Sequence, residues 1–243
     1  LILELDIGNT RCKWRLVGAQ VPAARDGACA VDELAAVLAA LPERAAIARV
    51  RAGCVRGPQV EATVRAAVQD ALGLETAFAR SQAAAGGVRN AYAEPQRLGV
   101  DRWLAMLAGF AEVGGAVCVL DCGSAITADL VDGDGEHRGG YIAPGLAMMR
   151  ASLLVATDRV RFDAALAATG AAPGRNTAEA VGGGTLLAAA GFLRGARERF
   201  GQACPGAVVL LTGGDAGAIA SCLDFPLRIR PQLVLDGLGR ALP

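Results

Sequence analysis

Apolar and polar residues alternate from the first position. Leu1-Ile2-Leu3-Glu4-Leu5-Asp6 predicts a β-strand, because successive strand side chains point to opposite faces. Ile7-Gly8-Asn9-Thr10 has the residues of a turn, and Lys13-Trp14-Arg15-Leu16-Val17 predicts a second strand. The period then changes. Leu34, Val37, Leu38 and Leu41 recur at helical spacing behind Asp32, which is expected to cap that helix. Val60, Val64, Val68 and Leu72 mark another helix. Residues 83–90 predict a glycine-containing loop, and a further helix begins near Asp101 and presents Leu104, Leu107, Ala108 and Ala111.

The opening pattern then returns. Ala116-Val117-Cys118-Val119-Leu120-Asp121 predicts a buried strand, Cys122-Gly123-Ser124 a turn, and residues 126–131 a second strand. Asp132-Gly133-Asp134-Gly135 predicts a hairpin. A long helix is expected over residues 177–200, with Asn176 as cap and Glu179 three residues on. A late strand over residues 208–211 runs into Thr212-Gly213-Gly214-Asp215. Each half thus starts with strand, Asp-x-Gly-[Asn/Ser], strand, and carries helices afterwards. The expected fold class is α/β, with two similar domains, residues 1–114 and 115–243, divided near Gly114-Gly115 and enclosing a cleft.

Composition narrows the function. No apolar run is long and uncharged enough to span a bilayer, since the longest candidate, residues 103–120, is broken by Glu112 and Gly114-Gly115. The start carries Glu4 and Asp6 where a signal peptide carries basic residues, so a cytoplasmic location is expected. Lys+Arg and Asp+Glu are 24 each, which leaves no basic footprint for nucleic acid. The seven cysteines form no CxxC pair, and Cys118 and Cys122 have poor spacing for chelation. They are expected to be small buried residues in a reducing compartment, and no zinc site is expected. His137 is the single histidine, which disfavours a histidine-based hydrolase. Its place beside a Gly/Asp-rich hairpin predicts exposure.

Three segments carry chemistry. In Asp6-Ile7-Gly8-Asn9-Thr10-Arg11-Cys12-Lys13 the turn exposes backbone N–H groups, Gly8 admits a phosphate, and Lys13, the only lysine, reaches for a terminal phosphate. Asp6 would repel a triphosphate unless Mg²⁺ or water lies between them. Taken alone, the segment also suits an ordinary hairpin. Asp121-Cys122-Gly123-Ser124-Ala125-Ile126-Thr127 repeats it with a hydroxyl at Ser124. Two such turns, one per half, make a clamp for one polyphosphate, and the pair resembles the superfamily of actin, Hsp70 and the sugar kinases. In Gly99-Val100-Asp101-Arg102, Asp101 suits a helix N-cap, but Arg102 beside it at a positive helix end is better explained by an anion.

Taken together, these segments resemble the type III pantothenate kinases, the Bvg accessory factor family. Val88-Arg89-Asn90-Ala91-Tyr92, Gly139-Gly140-Tyr141-Ile142-Ala143-Pro144-Gly145 and Thr212-Gly213-Gly214-Asp215 add to the likeness, which covers essentially the whole chain. The resemblance implies the duplicated actin-like ATPase fold and ATP-dependent phosphorylation of pantothenate to 4'-phosphopantothenate, the first step of coenzyme A synthesis. It implies ATP at Asp6, Ile7, Gly8, Asn9, Thr10, Arg11, Cys12, Lys13 and Ser124. Pantothenate is implied at Tyr92, Gly99, Val100, Asp101, Arg102 and Thr177, with Asp101 as general base. It further implies a divalent ion such as Mg²⁺, a monovalent cation, K⁺ or NH₄⁺, at Asp121, and a homodimer with pantothenate near the interface. The family usually carries Thr where this chain has Ser124. Two alternatives remain at this point: a kinase of another small acid or sugar on the same fold, and a non-catalytic regulator that keeps the nucleotide site.

Overall fold

Leu3, Leu5 and Ile7 point into one core and are fully buried, which makes the opening segment the central strand β1 (Ile2–Ile7). It pairs antiparallel with β2 (Cys12–Val17), which pairs with β3 (Arg25–Cys29). After the short helix α1 (Leu34–Ala39) the chain crosses over to β4 (Arg49–Cys54), parallel to β1. Helix α2 (Pro58–Leu72) leads to β5 (Thr76–Phe78), parallel to β4. The sheet order is β3-β2-β1-β4-β5. Leu34 and Leu38 of α1 and Val64 and Val68 of α2 pack with Leu3, Leu5 and Ile7 in one core, as their spacing requires. A small hairpin, β6 (Ala84–Ala85) and β7 (Val88–Arg89), replaces the plain loop expected there, and α3 (Val100–Val113) follows.

The second half repeats this plan strand for strand. Strands β8 (Val117–Cys122), β9 (Ala125–Val131) and β10 (His137–Pro144) form an antiparallel meander. Helices α4 (Leu146–Ala156) and α5 (Thr177–Ala203) precede β11 (Val208–Thr212), parallel to β8. Helix α6 (Ala216–Ala220) leads to β12 (Arg228–Ile229), parallel to β11, giving the order β10-β9-β8-β11-β12. Leu120, Ile126 and Leu130 pack against Leu186, Leu193 and Leu211 in the second core. The last helix, α7 (Leu233–Ala241), packs on β1 and β4.

The computed structural model describes residues 1–18, 25–163 and 172–243. It divides into two units: Leu1–Ala108 with Leu233–Pro243, and Gly109–Gln232. The division falls inside α3, before Gly114-Gly115, and the last segment joins the first unit, whereas the sequence reading assigns it to the second half. An ion network shows why. Glu4, on the face of β1 opposite the core, is 1% exposed and binds Arg51 (2.8 Å) and Arg15 (2.6 Å). Arg15 also binds Asp236 of α7 (2.5 Å), and Arg51 donates to the Leu242 carbonyl (2.7 Å). A buried carboxylate is tolerable only with such partners, and here they tie the last helix to the first sheet.

Two local expectations are corrected. Glu33, not Asp32, occupies the cap position of α1, and its carboxylate accepts from the Ala30 N–H (2.9 Å). His137 is buried, not exposed, with Nε2 3.0 Å from Asp129 Oδ1. The hairpin beside it is instead organised by Asp132, whose Oδ1 accepts from the N–H groups of Asp134 and Glu136. At α5 the expected cap forms: Asn176 Oδ1 accepts from the Glu179 N–H (2.9 Å), and Glu179 Oε2 accepts from the Arg175 N–H (2.7 Å). The cysteines at 12, 29, 54, 118 and 122 are buried, and no described cysteine is in a disulfide.

Candidate functional site

Asp6 and Lys13 face each other across the β1–β2 pair. Their turn is closed by the Gly8 N–H donating to the Arg11 carbonyl (3.0 Å), and Asn9, Thr10 and Arg11 are exposed. Ile7 and Cys12 are buried, so their side chains belong to the core and only the turn between them meets solvent. Burial raises the Asp6 carboxyl from 3.8 to about 6; Lys13 opposes the rise, and the charge of Asp101 adds to it. The opening turn and the Gly99–Arg102 segment, which lie far apart in sequence, therefore bring Asp6, Lys13 and Asp101 within electrostatic reach of one another.

Asp101 is the second residue of α3, not its cap. The carbonyl of Gly99, the residue just before the helix, accepts from the Trp103 N–H (3.0 Å), so Gly99 and not Asp101 stands at the cap position. Asp101 Oδ1 accepts from the neighbouring Arg102 N–H (2.8 Å). A Cβ at Gly99 would lie 2.7 Å from Asp101 Oδ1, so any larger residue there would displace the carboxylate. Val100 starts the helix and is nearly buried. Arg102 is 6% exposed, and its Nη1 donates to the Tyr92 hydroxyl (3.0 Å), with the guanidinium 5.8 Å from the Tyr92 ring centre. The loop that delivers Tyr92 is held by Asn90. Its Oδ1 accepts from the Tyr92 N–H (3.0 Å), and its Nδ2 donates to the carbonyls of Gln82 (3.2 Å) and Pro95 (3.3 Å). Asn90 stood in a recognised segment, but its positioning role was not legible there, because its partners lie eight residues before and five after it.

In the second unit, Asp121 is the penultimate residue of β8, opposite Thr127, and Ser124 lies in the turn. The matching register in the first unit pairs Asp6 with Lys13. Counting seven residues from Asp121 reaches Ala128, but the second turn is one residue shorter, so Thr127 is the true counterpart of Lys13. Ala128 pairs with Leu120 and is fully buried. Either way, the second turn lacks the lysine of the first.

Two glycine segments that sequence reading noted without a role lean on this turn. The Gly145 N–H donates to the Ser124 carbonyl (3.1 Å), and the Asp215 N–H to the Cys122 carbonyl (2.9 Å). Gly213 has φ +98°, and a Cβ there would stand 2.4 Å from Cys122 backbone atoms and 2.5 Å from Asp121 Oδ1. Thr212-Gly213-Gly214-Asp215 thus packs against the second turn and adds a carboxyl group beside it. Burial raises the Asp215 pKa, and Arg150 opposes the rise. Cys122 is pushed up to about 12 by burial, then by Asp121 and Asp215. Thr177, the first residue of α5, lines an apolar recess of about 770 Å³ with Met149, Leu153, Asn176 and Val181. Among the described residues no group of three or more His, Cys, Asp or Glu side chains is placed to hold a metal ion.

Solved structures resemble this fold over nearly the whole chain. A conserved Baf family protein from Campylobacter jejuni matches with a TM-score of 0.61 at 19% identity, covering 98% of this chain and 95% of its own. Component A of the (R)-2-hydroxyglutaryl-CoA dehydratase from Acidaminococcus fermentans matches with a TM-score of 0.54 at 15% identity, covering 99% and 96%. These neighbours place the chain in the α/β, duplicated actin-like ATPase fold. Sequence relatives are nearer. The type III pantothenate kinase of Ectopseudomonas mendocina is 43% identical, and that of Azotobacter vinelandii 38%, each covering 100% of this chain and 99% of the relative. The family profile of type III pantothenate kinase matches residues 2–199. Motifs, duplicated fold and full-length likeness converge: this chain belongs to the type III pantothenate kinase family.

Proposed function

We propose that the chain transfers the γ-phosphoryl group of ATP to the terminal hydroxyl of pantothenate, forming 4'-phosphopantothenate on the way to coenzyme A. The observation that carries this reading is the meeting of Asp101 with Asp6 and Lys13 in one unit, beside the Arg102–Tyr92 pair. Asp101 is the base for the acceptor hydroxyl. Lys13 and the N–H groups of the opening turn hold ATP phosphates. Arg102 binds the pantothenate carboxylate, with Tyr92 beside it. Phosphoryl transfer asks mainly for positioning and charge neutralisation, which these groups supply.

A divalent ion fits this donor set as a guest of the nucleotide, because no three or more of the described His, Cys, Asp and Glu side chains form a cage. When bound, it would neutralise phosphate charge, and Asp6 would hold it directly or through water. Asp121 holds a monovalent cation, K⁺ or NH₄⁺, beside the second turn. A second copy of the chain completes a homodimer over the second unit, where Met148, Val155 and Leu187 are 52%, 88% and 50% exposed. We place the enzyme in the cytoplasm with its ATP.

The pure protein is expected to form phosphopantothenate from ATP and pantothenate, and to leave a panel of sugars unphosphorylated. A sugar turned over faster than pantothenate, or ATP hydrolysis without transfer, refutes the reading. Arg102→Lys keeps the charge but loses the planar fork, so the KM for pantothenate rises on the order of 10-fold. Pantothenol, which lacks the carboxylate, is nearly indifferent to the change. Equal effects on both acceptors sink the Arg102 assignment.

Asp6 sets a pH dependence. Its carboxyl takes up a proton as pH falls through about 6, and the protonated form no longer attracts a divalent ion. The kcat/KM for MgATP therefore holds above that pH and falls below it, tracking the free enzyme. Asp6→Asn is expected to lower the plateau and abolish this acid limb. An unchanged limb in the variant assigns it to another group.

A further inference from the structure

Arg56 has no part in the roles assigned so far. Strands β1 and β4 run parallel with Ile7 level with Cys54, and the Val55 N–H donates to the Ile7 carbonyl (3.1 Å). The chain therefore carries Arg56 past the same end of the sheet at which the Gly8 turn begins. A recess of about 330 Å³ opens here, lined by Arg56, Arg80, Ser81, Arg97, Gly99 and Asp101, among others. Three guanidinium groups thus share a wall with one carboxylate.

Two of the three are already matched. Arg80 makes a two-pronged pair with Glu61 (2.7 and 2.6 Å), and Arg97 binds Glu94 (3.0 Å). The Ser81 hydroxyl is spent on the Leu98 carbonyl (2.8 Å). The Arg56 guanidinium makes no hydrogen bond or ion pair among the described residues. It is exposed and lies on the wall of the recess that also presents Asp101. An unmatched planar cation beside the base is suited to an anion that comes to the base only during the reaction. The acceptor carboxylate is at the far end of pantothenate from the hydroxyl that reacts. The anion that reaches this wall is therefore the phosphoryl group.

We propose that Arg56 contacts the phosphoryl group as it passes to the acceptor and then holds the phosphate of the product. The inference rests on Asp101 being the base. In the step, the acceptor oxygen bonds to the γ-phosphorus while the bond from that phosphorus to the bridging oxygen breaks. ADP leaves with the bonding electron pair, and the hydroxyl proton goes to Asp101. Charge on the transferred oxygens would be met by Arg56 from the acceptor side and by Lys13 from the ATP side.

The test uses Arg56→Gln and Arg56→Lys in the full chain. For Arg56→Gln, kcat is expected to fall roughly 10- to 100-fold, less than the loss of a buried oxyanion-hole donor because this side chain is exposed. The KM for pantothenate changes little, and Arg56→Lys recovers part of the rate. The deciding measurement is calorimetric. Arg56→Gln lowers the affinity for phosphopantothenate relative to pantothenate by about 10-fold, a ratio that a general loss of structure does not produce. An unchanged ratio overturns the proposal whatever happens to kcat. Asp101→Asn run in parallel separates the two readings. If it keeps its turnover, the assignment of the base has failed. If it loses turnover while Arg56→Gln keeps both rate and ratio, only the role of Arg56 has failed.

Discussion

Replacing Asp101 by Asn is expected to lower turnover by about 10²–10⁴-fold while leaving the protein folded, the usual loss when a general base is removed. The substitution keeps the shape of the side chain and an oxygen that can accept from the Arg102 N–H, the bond Asp101 makes at the start of α3. Because Asp101 is not the helix cap, the helix loses a favourable charge in its first turn and little else. Arg102 keeps its bond to Tyr92, so pantothenate binding is expected to survive. The measurement is kcat in a coupled ADP assay, with pantothenate affinity by calorimetry as control. Near-parental turnover in a folded variant reduces Asp101 to a structural role. Gly99→Ala supplies an independent check, since its methyl group would press on Asp101 Oδ1 and disturb the carboxylate without removing it.

What could be read from the sequence follows from how local each signal is. Strands β1, β2, β8, β9 and β11 were legible because alternation or an apolar run lies within a few residues. The Asn176–Glu179 cap was legible because both partners sit within one helical turn. Strand β4 was not, since Arg49 and Arg51 interrupt its apolar pattern. Arg51 is buried only because Glu4, 47 positions earlier, pairs with it. His137 misled for the same reason: its partner Asp129 lies on the neighbouring strand, and hairpin composition alone argues for solvent. At the candidate site, the turn residues and the Gly99–Arg102 segment announced themselves by type and spacing. Asn90, Gly145, Gly213 and Arg56 did not, because their side-chain hydrogen bonds, backbone approaches or shared wall exist only in the folded chain.

The duplication also shows where the halves have diverged. Both sheets have the same strand order and the same sense of pairing, so Asp6 and Asp121 are equivalent, as are the turns that follow them. The first aspartate faces Lys13 across its hairpin; the second faces Thr127, with the Asp215 carboxyl close to the same turn. A polyphosphate brought to the second turn would meet acidic groups with no lysine across the hairpin to offset them. The monovalent cation proposed at Asp121 would correct that balance, and the absence of a Cβ at Gly213 leaves room beside the carboxylate. Activity is therefore expected to be low in sodium or Tris buffers with Mg²⁺ present and to rise with K⁺ or NH₄⁺. Asp121→Asn is expected to cut kcat/KM for ATP at saturating K⁺ on the order of 10²-fold or more, the scale of losing a metal's charge stabilisation. It should also flatten the response to K⁺, and its fold should be intact, because Asn keeps the volume beside Gly213. Steady-state kinetics across a K⁺ titration, with circular dichroism as control, decides the matter. Full activity without K⁺ or NH₄⁺ would mean that Arg150, the cation already felt by Asp215, balances the charge in its place.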